Sequence, residues 1–272
     1  MPLDKNLRNR VYIKRDRPLI LVTNDDGIGS EGIKALAEAL KKVGDIIMVA
    51  PSVEQSATSH SVTLHHSLRC RRIDDGTYMV DGTPTDCVNL AVNFLLKEAP
   101  PDLLFSGINR GPNLGDDVHY SGTVSAALEG GIVGVPSVAV SVSGPLSDAL
   151  AGRGGFKFEA AAEFSARVAK KILKGGLPLG IILNINVPNV DKKLIKGHRV
   201  TFQGIKNYSN ITTEHIDPRG ERYYWISGKE DGFDDIAGSD CNAVAEGYIS
   251  LTPLRVDMTD RNFMKKMKDW RF

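Results

Sequence analysis

The sequence predicts an α/β protein in which helices cover both faces of a mostly parallel sheet. Short, continuous apolar runs recur up to Pro188, the pattern of strands buried on both sides. Stretches with helical spacing separate these runs, so strands alternate with crossover helices. Polar and glycine-rich clusters stand directly after the runs, where an open parallel sheet keeps its ligands.

Residues 1–18 are polar and basic and read as an N-terminal extension. Leu19–Thr23 (LILVT) is the first strand. Ser30–Lys42 sets Ile33, Leu36, Ala37 and Leu40 on one helical face, with Gly44 suited to its stop. Asp45–Ala50 is the second strand, ended by Pro51, and a polar loop covers Ser52–Ser59. Ser61–Arg72 and Thr77–Val80 form a β-excursion about the turn signal Asp74-Asp75-Gly76. Thr83 or Thr85 caps a helix running to about Leu96, with Pro84 in its first turn. Asp102–Phe105 is a third strand, and a glycine-rich loop over Gly107–Gly122 leads into a helix at Thr123–Ile132. Ser137–Val142, a helix at Phe158–Leu173 and a strand at Ile181–Val187 complete the alternation.

The pattern then changes. Val200–Gln203 and Arg222–Ser227 read as antiparallel strands, Tyr248–Thr252 as a strand returning to a sheet, and Thr259–Trp270 as a short helix. The expected division is an extension over 1–18, an α/β domain over 19–190 and a β-rich C-terminal segment over 191–272.

A chain of 272 residues buries roughly three quarters of the surface it exposes when unfolded, enough for one large core. Lys plus Arg number 34 against 33 Asp plus Glu, a net charge of +1. That balance argues against gripping a nucleic-acid duplex through a broad basic face, and leaves room for a small phosphate compound. No stretch approaches the ~18 apolar residues that span a bilayer, and the N-terminus lacks the apolar core of a secretory signal. Cys70, Cys87 and Cys241 are too scattered for a disulfide framework or a zinc pair. A reducing, cytoplasmic location is expected.

Asp25 and Asp26, at the end of the first strand, are the sharpest local signal. Adjacent carboxylates repel unless a cation or donors compensate, and hard oxygen ligands suit Mg²⁺ or Mn²⁺. The plainer alternative has one aspartate capping a helix and the other solvated. The next residues, Gly27 to Gly32, spell G-x-G-x-x-G, a dinucleotide fingerprint in the expected place. Against dinucleotide binding stand the two carboxylates before it and the absence of an acid closing the second strand. Ala50-Pro51 occupies that position, with Glu54 the nearest substitute. An aspartyl-phosphate phosphatase is another reading, but its D-x-D-x-T arrangement is missing.

The second rich segment is SGINRGPNLGDDVHYSGTVSAALEG, residues 106–130. Asn109 and Asn113 offer amide groups, the glycines allow close backbone approach, and Ser121-Gly122-Thr123 opens a helix whose free N–H groups favour an anion. Asp116 and Asp117 read as loop-orienting carboxylates. His119 is a loop histidine within reach of a phosphate, and His65-His66 sits in a strand with its rings facing opposite ways. Tyr208, Tyr223, Tyr224 and Trp225 suit strand packing, with stacking on a base as the alternative.

Together, Asn24-Asp25-Asp26-Gly27, Ala50-Pro51 with Gln55-Ser56, Asp81-Gly82-Thr83-Pro84 and the 106–130 segment resemble the SurE family of stationary-phase survival nucleotidases. Weaker echoes follow in Asn184–Pro188 and Gly238-Ser239-Asp240. The resemblance implies a Rossmann-like fold and hydrolysis of nucleoside 5′- and 3′-monophosphates, with polyphosphate as a further substrate. It implies one divalent cation held by Asp25, Asp26, Ser56 and Asn109, with Asp25 and Asp26 also catalytic. Asn113, Ser121, Gly122 and Thr123 are the implied phosphate contacts. A homodimer or homotetramer assembled through a C-terminal arm is also implied. The chain departs from the family where Ser30-Glu31-Gly32 opens the first helix, since members often carry Ala-Pro-Gly there, and in its extension before the first strand.

Overall fold

The computed structural model describes residues 15–144 and 155–271. The expected extension therefore lies mostly outside the described residues. Its described end is tied down: Arg15 meets the Pro100 carbonyl and Asp102, and Arg17 donates to the carbonyls of Lys41 and Gly44.

The core is a nine-stranded, mainly parallel, Rossmann-like sheet. Its first half comprises β1 (Leu19–Thr23), β2 (Asp45–Pro51), β3 (Cys70–Asp74), β4 (Thr77–Val80) and β5 (Leu103–Arg110). The second half comprises β6 (Ser137–Ser143), β7 (Ile181–Pro188), β8 (His198–Val200) and β11 (Ile249–Arg255). The spatial order is β3-β4-β2-β1-β5-β6-β7-β11-β8, with β3 and β11 antiparallel to β4 and β7. Helices α1 (Glu31–Leu40) and α4 (Glu159–Gly175) pack on one face, and α2 (Pro84–Leu90) and α3 (Gly122–Ile132) pack together on the other. The apolar runs fill the interior: Ile20, Leu21 and Val22 of β1 and Leu103, Leu104 and Phe105 of β5 are fully buried. No helix among the described residues is long and apolar enough to cross a membrane.

The strand order reverses at β1, which pairs with β2 on one side and β5 on the other. Successive crossovers leave that point in opposite directions, so a crevice opens beyond the carboxyl ends of β1 and β5. The Asp25–Asp26 pair sits there.

Several elements differ from expectation. The third strand runs on to Arg110, so the first part of the presumed glycine loop belongs to the sheet. The register shifts between Ser106 and Asn109, after which Asn109 and Arg110 pair with Ser141 and Val142. Gly107 permits this irregularity: at φ +132° it lies against β6, where a Cβ would meet the Val140 carbonyl oxygen at 2.2 Å. Of the expected Ser61–Arg72 strand only the last three residues are strand, within β3. The preceding stretch is fixed by side chains instead, with Thr63 donating twice to Asp86 and Thr83 Oγ1 donating to Ser61 O. Helix α2 carries the expected Thr83 cap, a reciprocal capping box with Asp86, and continues as a wider turn over Ala91–Leu95.

Beyond β7 the expected antiparallel strand at Val200–Gln203 does not form: only β8 is present there, running parallel to β11. The antiparallel partner of Arg222–Ser227 is a later stretch not expected as a strand. β9 (Lys206–Ile216) and β10 (Arg222–Phe233) form a separate two-stranded ribbon. Asp217 closes its turn by accepting from the backbone N–H groups of Arg219 and Glu221. A short helix unforeseen in the sequence, α5 (Asp240–Ala245), is capped by Ser239. It precedes β11, which re-enters the main sheet, and the chain ends with α6 (Arg261–Met267).

Candidate active site

The crevice holds a cleft of about 270 Å³ lined by Asp25, Asp26, Ser56, Asn109, Asn113 and Ser121 together with Glu54, Arg110, Asp117, Tyr120 and Tyr208. Four expected metal ligands and two expected phosphate contacts thus share one wall system. They arrive from the tip of β1, the loop after β2, the end of β5 and the cap of α3.

Asp25 is 4% exposed. Its carboxylate accepts from the Thr123 backbone N–H at 3.1 Å and from Thr123 Oγ1 at 2.5 Å, and its own carbonyl accepts from Gln55 N–H. Gly122 lies directly against it, since a Cβ there would stand 2.9 Å from Asp25 Cβ. Thr123 was expected to face the phosphate, but the structure directs both its donors at Asp25. Thr123 thus fixes the position of the carboxylate, with Gly122 packed beside it.

Asp26 Oδ2 accepts from the Arg110 backbone N–H at 3.2 Å, and Arg110 Nε lies 3.5 Å from Oδ1. Burial pushes the Asp25 carboxyl up to about 7. The Thr123 hydroxyl opposes that rise, and the neighbouring Asp26 charge adds to it. Burial also raises Asp26, partly offset by the Arg110 guanidinium. Two desolvated carboxylates side by side are disfavoured unless positive charge joins them.

Ser56 Oγ donates to Glu54 at 2.7 Å, and Asn109 Nδ2 donates to the Gly111 carbonyl, leaving the Asn109 amide oxygen as a remaining acceptor. Asp25, Asp26, Ser56 and Asn109 therefore present oxygen throughout, the donor set of a hard divalent cation. Among the described residues no cluster of His, Cys, Asp or Glu is arranged to hold a metal by itself. A cation here would rely on the hydroxyl and the amide as well as the carboxylates.

Ser121 caps α3, its Oγ accepting from Val124 N–H. Asn113 is locked from behind. Its Nδ2 donates to Ser141 Oγ, its N–H donates to Asn186 Oδ1, and its carbonyl accepts from the amides of Asn184 and Asn186. Asn24, just before the aspartates, donates to the Gly27 carbonyl and to Ser30 Oγ, closing the G-x-G-x-x-G turn on itself.

Some contributors escaped the sequence. Arg110 is the sole Lys or Arg between Ser106 and Gly130, and that isolation was the one available signal. Asp117 does orient structure, though the structure it orients lies far along the chain. Lys206 Nζ and Tyr208 OH meet its two oxygens at 2.9 and 2.5 Å, bringing the base of β9 to the cleft wall. Burial and the Asp117 contact push the Tyr208 hydroxyl up to about 12, so it remains a donor. His119 is exposed and stands outside the cleft lining, as do His65 and His66.

A model of the family described as survival protein SurE matches residues 20–210. A protein of Geobacter sulfurreducens described as 5′-nucleotidase SurE is 50% identical over 252 residues, spanning 92% of this chain and 93% of its own. A like-named protein of Geotalea daltonii is 46% identical over 251 residues, 92% of this chain and 98% of its own. The crystal structure of the SurE protein from Aquifex aeolicus superposes with a TM-score of 0.80 at 45% identity, covering 92% of this chain and 98% of that one. Agreement in sequence and in fold extends across almost the whole molecule, and the chain belongs to the SurE family.

Proposed function

We propose that the protein hydrolyses nucleoside 5′-monophosphates to nucleoside and phosphate using one divalent cation, Mg²⁺ or Mn²⁺. We extend the proposal to 3′-monophosphates, which are esters of the same kind, and to polyphosphate, where the terminal phosphoryl group leaves an anhydride oxygen in place of an alcohol oxygen. The observation that carries the proposal is the meeting of Asp25, Asp26, Ser56 and Asn109 in one cleft with the Ser121 cap of a helix. Relatives described as 5′-nucleotidases support the choice of substrate.

The division of labour follows from the contacts. Thr123 holds Asp25 and the Arg110 backbone holds Asp26; together with Ser56 and Asn109 the two aspartates would hold the cation. Such a cation neutralises phosphoryl charge and acidifies water. Ser121 and the backbone N–H of Gly122, at the helix N-terminus, would bind phosphoryl oxygens, where the helix dipole favours negative charge. Asn113, presented in a fixed orientation by Ser141 and Asn186, binds a further oxygen, so the phosphorus is held for attack from one side. One of the carboxylates, Asp25 or Asp26, accepts the proton of the attacking water.

We also propose that residues 191–272 serve assembly, as a homodimer or homotetramer, while β11 completes the domain of residues 19–190. Exposed Ile216, Tyr224 and Trp225 on the β9–β10 ribbon support that role.

The deciding experiment is a phosphate-release screen over 5′- and 3′-nucleotides and polyphosphate with Mg²⁺, Mn²⁺ or EDTA. Release from monophosphates that EDTA abolishes and either metal restores is expected. Release indifferent to EDTA would remove the cation, and no release from any monophosphate would remove the nucleotidase.

A further inference from the structure

Arg110 ends β5 beside Asn109 and is the one Lys or Arg among the described residues lining the cleft. Its guanidinium is held loosely. Nε lies 3.5 Å from Asp26 Oδ1, and Nη2 lies 3.9 Å from Glu54 Oε2, both longer than a good charged hydrogen bond. Nε is buried and makes no hydrogen bond, while the side chain as a whole is 36% exposed. A guanidinium held by the protein only through such long contacts, and opening on a cleft, is available to an anion.

The charges around it indicate what that ligand is. Asp117 is answered by Lys206. Asp25, Asp26 and Glu54 then face Arg110 alone within the lining. Three carboxylates against one guanidinium would repel a phosphate dianion. Even with a divalent cation present, the cleft approaches neutrality only if the charge of Arg110 is counted. The planar fork of an arginine also matches two phosphate oxygens at once, which the compact ammonium of lysine cannot do.

We propose that Arg110 is a substrate-binding residue that grips the terminal phosphate and makes the cleft selective for dianionic phosphate. Its contacts with Asp26 and Glu54 are the resting arrangement of a group whose partner is the phosphate. This rests on the phosphomonoesterase reading above, and it can fail separately from it.

The test uses the full chain with Arg110→Gln and Arg110→Lys. Binding of inorganic phosphate in the presence of Mn²⁺, and of Mn²⁺ alone, is measured by calorimetry, alongside KM and kcat for a nucleoside monophosphate. R110Q is expected to weaken phosphate binding by about tenfold or more, the loss of a charge-assisted contact. KM should rise by a similar factor and exceed any change in kcat. Mn²⁺ binding without phosphate should hold or tighten, because Asp26 loses a competitor. R110K should recover part of the affinity and provides the measurement if R110Q does not fold. Phosphate affinity unchanged in R110Q, with Mn²⁺ binding retained or tightened, would overturn the proposal and leave Arg110 as a stand-in charge for Asp26. A wild type that binds phosphate through Arg110 yet releases none from any monophosphate would sink the nucleotidase reading and leave this inference standing.

Discussion

At the tips of β1 and β5, polar side chains are met by partners from distant parts of the chain. Along β9 and β10, many side chains face solvent. Asp25 is met by Thr123 and Asp26 by Arg110, each partner separated by more than a whole βα unit. In the ribbon, Tyr224 bonds Glu214 across the pair, and Trp225 is 61% exposed. The first region is specified by the fold of a single chain. The second keeps its strand pairing while Ile216, Tyr223, Tyr224 and Trp225 stand exposed, side chains that the proposed assembly would cover. Substitutions should therefore act through chemistry and stability in one region and through assembly in the other.

Asp25→Asn should have the largest effect. Phosphate release is expected to fall by about a thousandfold or more, because under the proposed mechanism catalysis through a cation would draw several kcal/mol from its ligands. The far-UV circular dichroism spectrum should be unchanged, and near-normal turnover would remove Asp25 from the site.

Gly32→Ala comes next. A Cβ there would sit 2.0 Å from the Ile108 carbonyl oxygen, so α1 or β5 must shift, at a cost of about 3 kcal/mol measured by denaturant unfolding. A change under roughly 0.5 kcal/mol would mean the helix and strand can separate freely.

Asp117→Asn should be milder. It removes the carboxylate charge beside Lys206, whose side chain is only 2% exposed, for about 1–2 kcal/mol. Limited proteolysis within residues 206–233 should accelerate, and an unchanged cleavage rate would show that the ribbon is anchored by other contacts.

Trp225→Ser should be nearly silent in the unfolding of a dilute monomer, within about 0.5 kcal/mol. Light scattering should nonetheless show a smaller assembly at matched concentration. An unaltered mass would exclude Trp225 from the assembling surface.

The same contrast explains what the sequence could disclose. Continuous runs such as LILVT need no partner to be recognised, because burial on both faces is written in the run itself. Of the candidate site, Asp25-Asp26 and Ser121 opening α3 stand out in the sequence itself, whereas Ser56 joins them only through the family resemblance. The site was illegible where a contact joins remote segments. Nothing near Thr123 signals that both its donors serve Asp25, and nothing near Asp117 announces Lys206 and Tyr208, 89 and 91 residues further on. The glycine-rich stretch misled for a related reason. Its first glycine bends a strand that continues, and flexibility at Gly107 serves proximity to β6 where the sequence suggested a loop.

The turn from Gly27 to Gly32 carries one more lesson. Gly27 adopts φ +90°, and Gly32 lets α1 lie against the backbone of β5, while the Asn24 side chain ties the turn from within. Each glycine that these contacts explain answers a steric demand, and neither needs a pyrophosphate. Evolution can reach the same spelling in proteins with unrelated ligands whenever a helix must leave a strand abruptly and nestle beside the next one. A pattern search that stops at the letters would file this molecule among cofactor binders; the acidic pair just ahead of the turn is what redirects it.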